Sequence, residues 1–279
     1  MFKYSYDALV YANEPIEKSI RRVAKYGYDA IELVGEPAQH DTAEIRRLCA
    51  AEGITVSSIC SIFVGAERDL VAIDTGMRRK GVAYAKSVVD FAAEVGAPTI
   101  NLAPSPVGKL APVGSRQQEW DLALESLSEI ASYASKAGIR TCLEPWNRYE
   151  TYFINRLDQA LDLAAAVGHD NLGVMGDSFH MNIEDTDVAG NYRLAAERLF
   201  HVHFADSQRA APGRGHINFG PLVAALIEID YQGYIAFELL PAAADPFATL
   251  RSGGGEEFLD AYTELAINTI KAVEAEVRK

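Results

Sequence analysis

Along the chain a glycine repeatedly closes an amphipathic segment, and a short β-branched or apolar run follows within a few residues. The stretches are YGYDAIELVG from Tyr26, EGITVSSICS from Glu52, VGAPTINLAPS from Val95, AGIRTCLEPWN from Ala137 and QGYIAFELLP from Gln232. Each glycine can take the left-handed conformation that ends a helix, and each run suits a strand buried on both faces. Three further runs, YSYDALVY at Tyr4, NLGVMGDSF at Asn171 and RLFHVHFADS at Arg198, bring the candidate strands to eight.

The intervening segments read as helices with recognisable starts. Pro15 stands where a first helical residue would be, Asp41 is followed three residues on by Glu44, and Ser115 is likewise followed by Gln118. Trp120, Leu124, Leu127, Ile130 and Tyr133 recur at three and four and make one apolar helix face. Eight buried strands, each followed by a helix, predict a closed (β/α)8 TIM barrel rather than a doubly wound open sheet. No G-x-G-x-x-G follows the first strand, which removes the main support for a dinucleotide-binding sheet. With no linker or composition break, residues 1–279 are expected to form a single α/β barrel domain.

Composition narrows the class. At 279 residues, 49% hydrophobic and 23% charged, the chain is neither disordered nor collagenous. The 26 Lys and Arg against 39 Asp and Glu give a net charge of −13, which opposes phosphate backbones and anionic lipid, and no basic patch offsets it. No nucleic-acid or membrane partner is therefore expected. The odd trio Cys49, Cys60 and Cys142 has no metal-type spacing and lies in apolar segments, as buried thiols of a reduced, cytoplasmic protein would. The start, MFKYSYDALVYANEP, lacks the pattern of an export signal, and no run of about 18 uncharged apolar residues occurs.

In a barrel the carboxyl ends of the strands form the active face. Strand five ends in Leu143-Glu144-Pro145, strand six in Met175-Gly176-Asp177, strand seven in His201-Val202-His203 and strand eight in Phe237-Glu238. Three carboxylates gathered in low dielectric call for a cation, and oxygen donors with one imidazole suit Mn2+, Mg2+ or Co2+ better than a structural zinc. His201 and His203 point to one face at different depths; His203, nearer the carboxyl end, is the expected ligand and His201 a buried supporting residue. His180, three beyond Asp177, falls in the following loop within reach of substrate, whereas His40, His169 and His216 carry no comparable signal.

LEPWNRYE (Leu143 to Glu150), GDSFHMNIED (Gly176 to Asp185), HVHFADSQR (His201 to Arg209) and FELLP (Phe237 to Pro241) resemble the D-tagatose 3-epimerase and D-allulose (psicose) 3-epimerase family. That family belongs to the xylose-isomerase-like barrel superfamily of sugar isomerases and epimerases. The likeness is close in the carboxyl-terminal half and general in the amino-terminal half. It implies that Glu144, Asp177, His203 and Glu238 ligate a divalent metal, Mn2+ ahead of Co2+ or Mg2+, and that Glu150, His180 and Arg209 contact the sugar. A metal chelating a ketose carbonyl and its neighbouring hydroxyl stabilises a cis-enediolate, and epimerisation needs a base on each face of that carbon. Glu144 and Glu238 are disposed for those catalytic roles. Arg209 would hold hydroxyls near the carbonyl end and His180 would donate to the developing oxyanion.

Departures from the family bear on substrate: Pro145-Trp146 after the glutamate, Leu239-Leu240-Pro241 at strand eight, and the loop AAADPFATLRSGGGEEF. In that loop Arg251 and Gly253 to Gly255 offer either an anion grip or a hinged lid. Tyr6, Glu32, Ser58, Cys60 and Pro104 are expected to line the pocket. The same proton abstraction serves aldose-ketose isomerases, inosose dehydratases and lyases of 3-keto-glycosides, the last with a possible partner subunit. Phosphodiesterases that cut damaged DNA share the barrel but need several zincs, many histidines and a basic face, against six histidines and −13 here. Barrels of this superfamily associate, so a homodimer or homotetramer is expected.

Overall fold

A computed structural model describes residues 1–11, 14–241 and 256–279. Eight parallel strands close in sequence order, β1 returning to pair with β8. They are β1 Lys3–Asp7, β2 Ala30–Gly35, β3 Thr55–Ser61, β4 Thr99–Leu102, β5 Arg140–Leu143, β6 Leu172–Asp177, β7 Leu199–Phe204 and β8 Tyr234–Phe237. The helices around them are α1 Ile16–Lys25, α2 Thr42–Glu52, α3 Thr75–Val95, α4 Arg116–Lys136, α5 Leu157–Val167, α6 Ser178–Glu184, α7 Val188–Ala195, α8 Phe219–Glu228 and α9 Glu256–Val277. This is the predicted TIM barrel, and each of the eight runs became a strand.

Local chemistry explains the boundaries. Asp41 caps α2 through the amides of Ala43 and Glu44, and Ser115 caps α4 through that of Gln118. Pro15 is one position off: it is the cap before α1, extended at ψ 133°, with its carbonyl accepting from Lys18. Gly27, Gly53, Gly96 and Gly138 do adopt positive φ after their helices, but Gly233 does not. There Asp230, at φ 52°, makes the left-handed turn after α8, and Gly233 is required by space instead, because a Cβ would lie 2.9 Å from the Phe200 carbonyl oxygen. On α4, Leu127 and Ile130 are fully buried, while Trp120, Leu124 and Tyr133 are half-buried against the same core.

Two register shifts shape the barrel interior. Ile31 pairs with Val56 but Glu32 with Ser58, so an extra residue, Ser57, is inserted in β3; likewise Val174 pairs with Leu199 but Met175 with His201. Such an insertion re-aims the side chains beyond it. Ser57 and Ser58 both turn inward, where Ser57 meets Ser5 at 2.7 Å and Ser58 meets His201 Nε2 at 3.2 Å. The second shift sets His203 beside Asp177 on one flank and Ala236 on the other, so Glu238, two residues beyond Ala236, shares that inner face. Tyr6 departs from expectation: Ser5 and Asp7 take the inner face of β1, which turns Tyr6 outward to stack on Tyr11 at 4.9 Å.

Candidate active site

Glu144 and Glu238 each directly follow their strands, while Asp177 ends β6 and His203 lies one residue before the end of β7. All four are buried, and each offers a ligand atom lying within 4.8 Å of the other three. Asp177 also caps α6 by accepting from Phe179 at 2.8 Å, which carries His180 toward the cluster with its Nε2 4.0 Å from Asp177 Oδ2. Of the residues singled out from sequence, Arg209 joins them as well. Its Nη1 donates to Asp177 at 2.5 Å and its Nη2 lies 2.5 Å from Glu238, held by a backbone at φ 66°.

The cluster is electrostatically uneven. Burial raises every carboxyl, yet the Arg209 guanidinium and His203 overcome it at Asp177 and Glu238 and hold both below their ordinary range. Glu144 lacks such a partner at close range: burial pushes it up to about 8, and the neighbouring Glu238 and Asp177 add to the effect while His203 opposes it. Its Oε2 accepts from Asn101 Nδ2 at 2.7 Å, which fixes the carboxylate's orientation. Burial opposes a charge on His203, but the surrounding Glu32, Asp177 and Glu238 raise it well above the usual imidazole value.

Several supporting residues were not singled out for a role in the sequence. Glu32 accepts from His203 Nε2 at 2.8 Å and from His201 Nε2 at 3.2 Å, leaving His203 Nδ1 facing Glu238 at 3.1 Å and Asp177 at 3.7 Å. Its signal was a lone charge inside the apolar run AIELVG. His201 is the buried supporting residue expected of it. Asn147, from the NRYE segment, donates to His180 Nδ1 through its amide side chain at 2.8 Å and its backbone at 3.2 Å. Two donors on Nδ1 leave the proton on Nε2, directed at the cluster. The Asn147 side chain also donates to Glu150 at 2.9 Å, placing that half-buried carboxylate at the rim. Arg148 closes over the arrangement by pairing with Glu184 of α6 at 2.8 Å.

The donor set suits a divalent cation: three buried carboxylates and one imidazole, whose far nitrogen is held by a carboxylate as metal-binding imidazoles usually are. Cys49, Cys60 and Cys142 are buried free thiols; burial lifts Cys60 and Cys142 well above the usual range and Cys49 to about 11. No helix among the described residues is long and apolar enough to cross a membrane. Arg251 and Gly253 to Gly255 lie outside the described residues.

The chain is similar to several known sugar epimerases. A D-psicose 3-epimerase of Ruminiclostridium cellulolyticum is 32% identical over 160 residues, 55% of either chain, so the match spans about half of that relative's length. A 3-dehydro-D-guloside 4-epimerase of Escherichia coli K12 is 30% identical over 215 residues, 75% of this chain and 80% of the relative. The crystal structure of D-psicose 3-epimerase with D-tagatose from Clostridium cellulolyticum H10 superposes with a TM-score of 0.86 at 27% identity, covering 98% of this chain and 99% of that one. Residues 20–252 match the model of the xylose isomerase-like TIM barrel family, and the chain belongs to that family.

Proposed function

We propose that the protein is a metal-dependent ketose 3-epimerase. The observation that carries this reading is the arrival of Glu144 and Glu238, from opposite flanks of Asp177 and His203, in one buried cluster fit for a divalent ion. Glu144, Asp177, His203 and Glu238 would hold the ion, with Mn2+ preferred. An ion held there would supply positive charge beside the ketose carbonyl and so acidify the neighbouring C–H.

The chain's own groups do the remainder. One glutamate takes the proton from C3 and the other returns a proton to the opposite face; because the reaction reverses, each acts as base in one direction and acid in the other. Asn101 keeps Glu144 aimed, while Arg209 and His203 keep Glu238 ionised. His180, with its proton on Nε2, donates to substrate oxygen, and Glu150 and Arg209 fix hydroxyls at the same end. Burial of Glu144, Asp177, His180, His203 and Glu238 keeps water from competing for the proton. A cytoplasmic homodimer or homotetramer completes the reading.

A second reading is epimerisation of a 3-keto-glycoside at C4, favoured by the coverage of the 3-dehydro-D-guloside 4-epimerase. Both take a proton beside a carbonyl. A panel of ketohexoses, ketopentoses, their phosphates and 3-keto-glycosides, assayed with Mn2+ by NMR, decides between them. Inversion at C3 of an unphosphorylated ketose is expected. Inversion only at C4 of the glycosides supports the second reading, and elimination products overturn both in favour of a lyase.

A further inference from the structure

Among the described residues five buried side-chain oxygens have no hydrogen-bonding partner, and two of them belong to neighbours in the sheet, Asp7 of β1 and Glu32 of β2. Asp7 is fully buried. Its Oδ1 accepts from the amide of Leu9 at 2.8 Å, whereas Oδ2 meets nothing. Side chains in register on adjacent parallel strands point to the same side, and Glu32 reaches inward to His203 of β7, so Asp7 faces inward too. On the other flank Tyr6 pairs with Phe237, which brings Asp7 alongside Glu238. Asp7 thus stands in the ring of strand ends between a residue that steadies the candidate metal ligand His203 and one of the two proposed bases.

Buried polar groups are almost always paired, so an unpaired oxygen at the carboxyl end of a strand, where barrels bind their ligands, calls for a partner that the described residues do not supply. The closed strand order puts β1 across the barrel from β5 and β6, after which come Glu150 and His180. A sugar held at one end by those residues would extend its other end toward β1.

We propose that Asp7 is a substrate-binding residue whose free oxygen pairs with a hydroxyl on the end of the sugar remote from Glu150 and His180, so that the site selects substrates hydroxylated there. The inference rests on the sugar-epimerase reading. A hydroxyl both donates and accepts, so it satisfies this carboxyl in either protonation state.

The test measures kcat/KM and calorimetric binding for D-allulose and its 4-deoxy, 5-deoxy and 6-deoxy analogues, with the native enzyme, Asp7→Ala and Asp7→Asn, alongside each protein's melting temperature. Asp7→Asn retains an oxygen for the Leu9 amide and guards against a folding defect. Asp7→Ala is expected to lower kcat/KM and affinity for D-allulose on the order of tenfold to a hundredfold. One deoxy analogue should show a similar loss with the native enzyme and no further loss with the variant. Equal losses on all four sugars, or none, overturn the proposal in favour of a purely structural carboxylate. Asp7-dependent binding without inversion of C3 overturns the epimerase reading alone; normal inversion with additive losses overturns the Asp7 proposal alone; absence of binding by the native enzyme overturns both.

Discussion

Glu144 and Glu238 differ in surroundings although their proposed tasks mirror each other: Asn101 fixes the first, and Arg209 with His203 fixes the second. In the proposed mechanism, replacing either by Gln keeps an oxygen for the metal and removes the group that moves the proton. Each substitution should lower kcat by about 10² to 10⁴, with a smaller change in metal affinity. With substrate deuterated at C3, the variant lacking the abstracting glutamate should neither turn over nor exchange, while the other can wash out label without completing inversion. Near-normal turnover in both variants would remove the two-base mechanism. The strand-end carboxylates and His203 were legible in the sequence because each terminates an apolar run. Asn101, Asn147 and the role of Glu32 were not, because their partners are 43, 33 and 171 residues away in sequence. Pairing of neighbouring strands brings the first two contacts together, and closure of the barrel brings the third.

The loops above β3, β4 and β5 are tied into one unit by a buried cation. Lys109 Nζ lies 2.7 Å from Asp69 and 2.8 Å from Glu119, and Glu119 also accepts from the Tyr152 hydroxyl and from the amides of Val113 and Gly114. Both carboxylates are nearly buried, so neither can turn to water if the lysine is lost. Lys109→Met keeps the stem but leaves two uncompensated acids, and should destabilise the protein by about 3–5 kcal/mol in urea unfolding. A change below about 1 kcal/mol would show the loops to be held by packing alone. Where elements begin was read well from capping residues; where β2 and β6 slip in register against their neighbours was not. An inserted residue in a strand leaves the apolar run unbroken, and its effect lies in the partner strand.

For the whole molecule, a gathered set of acids makes stability depend on pH and on metal together. In the metal-stripped protein Glu144 holds its proton up to about pH 8, against an ordinary value of 4.5, so its contribution is complete below 4.5 and gone above about 8. His203, also raised, acts in the same direction above its ordinary 6.5. Asp177, Glu238 and Glu32 are depressed, so their contributions are present above the ordinary carboxylate range and fade as pH falls through and below it. The stripped protein should therefore melt highest near pH 5 and lose stability steadily toward pH 8. A divalent ion held as proposed would require Glu144 ionised and His203 neutral, so the gain in Tm from millimolar Mn2+ should be larger at pH 8 than at pH 6. Calorimetry on stripped and reloaded protein checks this; an equal gain at both pH values would show that metal binding displaces no proton from these residues.

The apolar period, the helix caps and the strand-end residues by themselves determined a TIM barrel with an acid-rich site at its mouth, because each is a local pattern set within one strand or one helical turn. The family's motifs pointed to the four residues that the barrel gathers within 4.8 Å. What a side chain faces depends on inner or outer placement around a closed ring, and that the tertiary structure alone decided. It turned Tyr6 out to the helices and Asp7 in to the site, one residue apart on the same strand. It also seated Glu32 behind His203 across the barrel and set Arg209 between two acids, contacts that no spacing along the chain encodes.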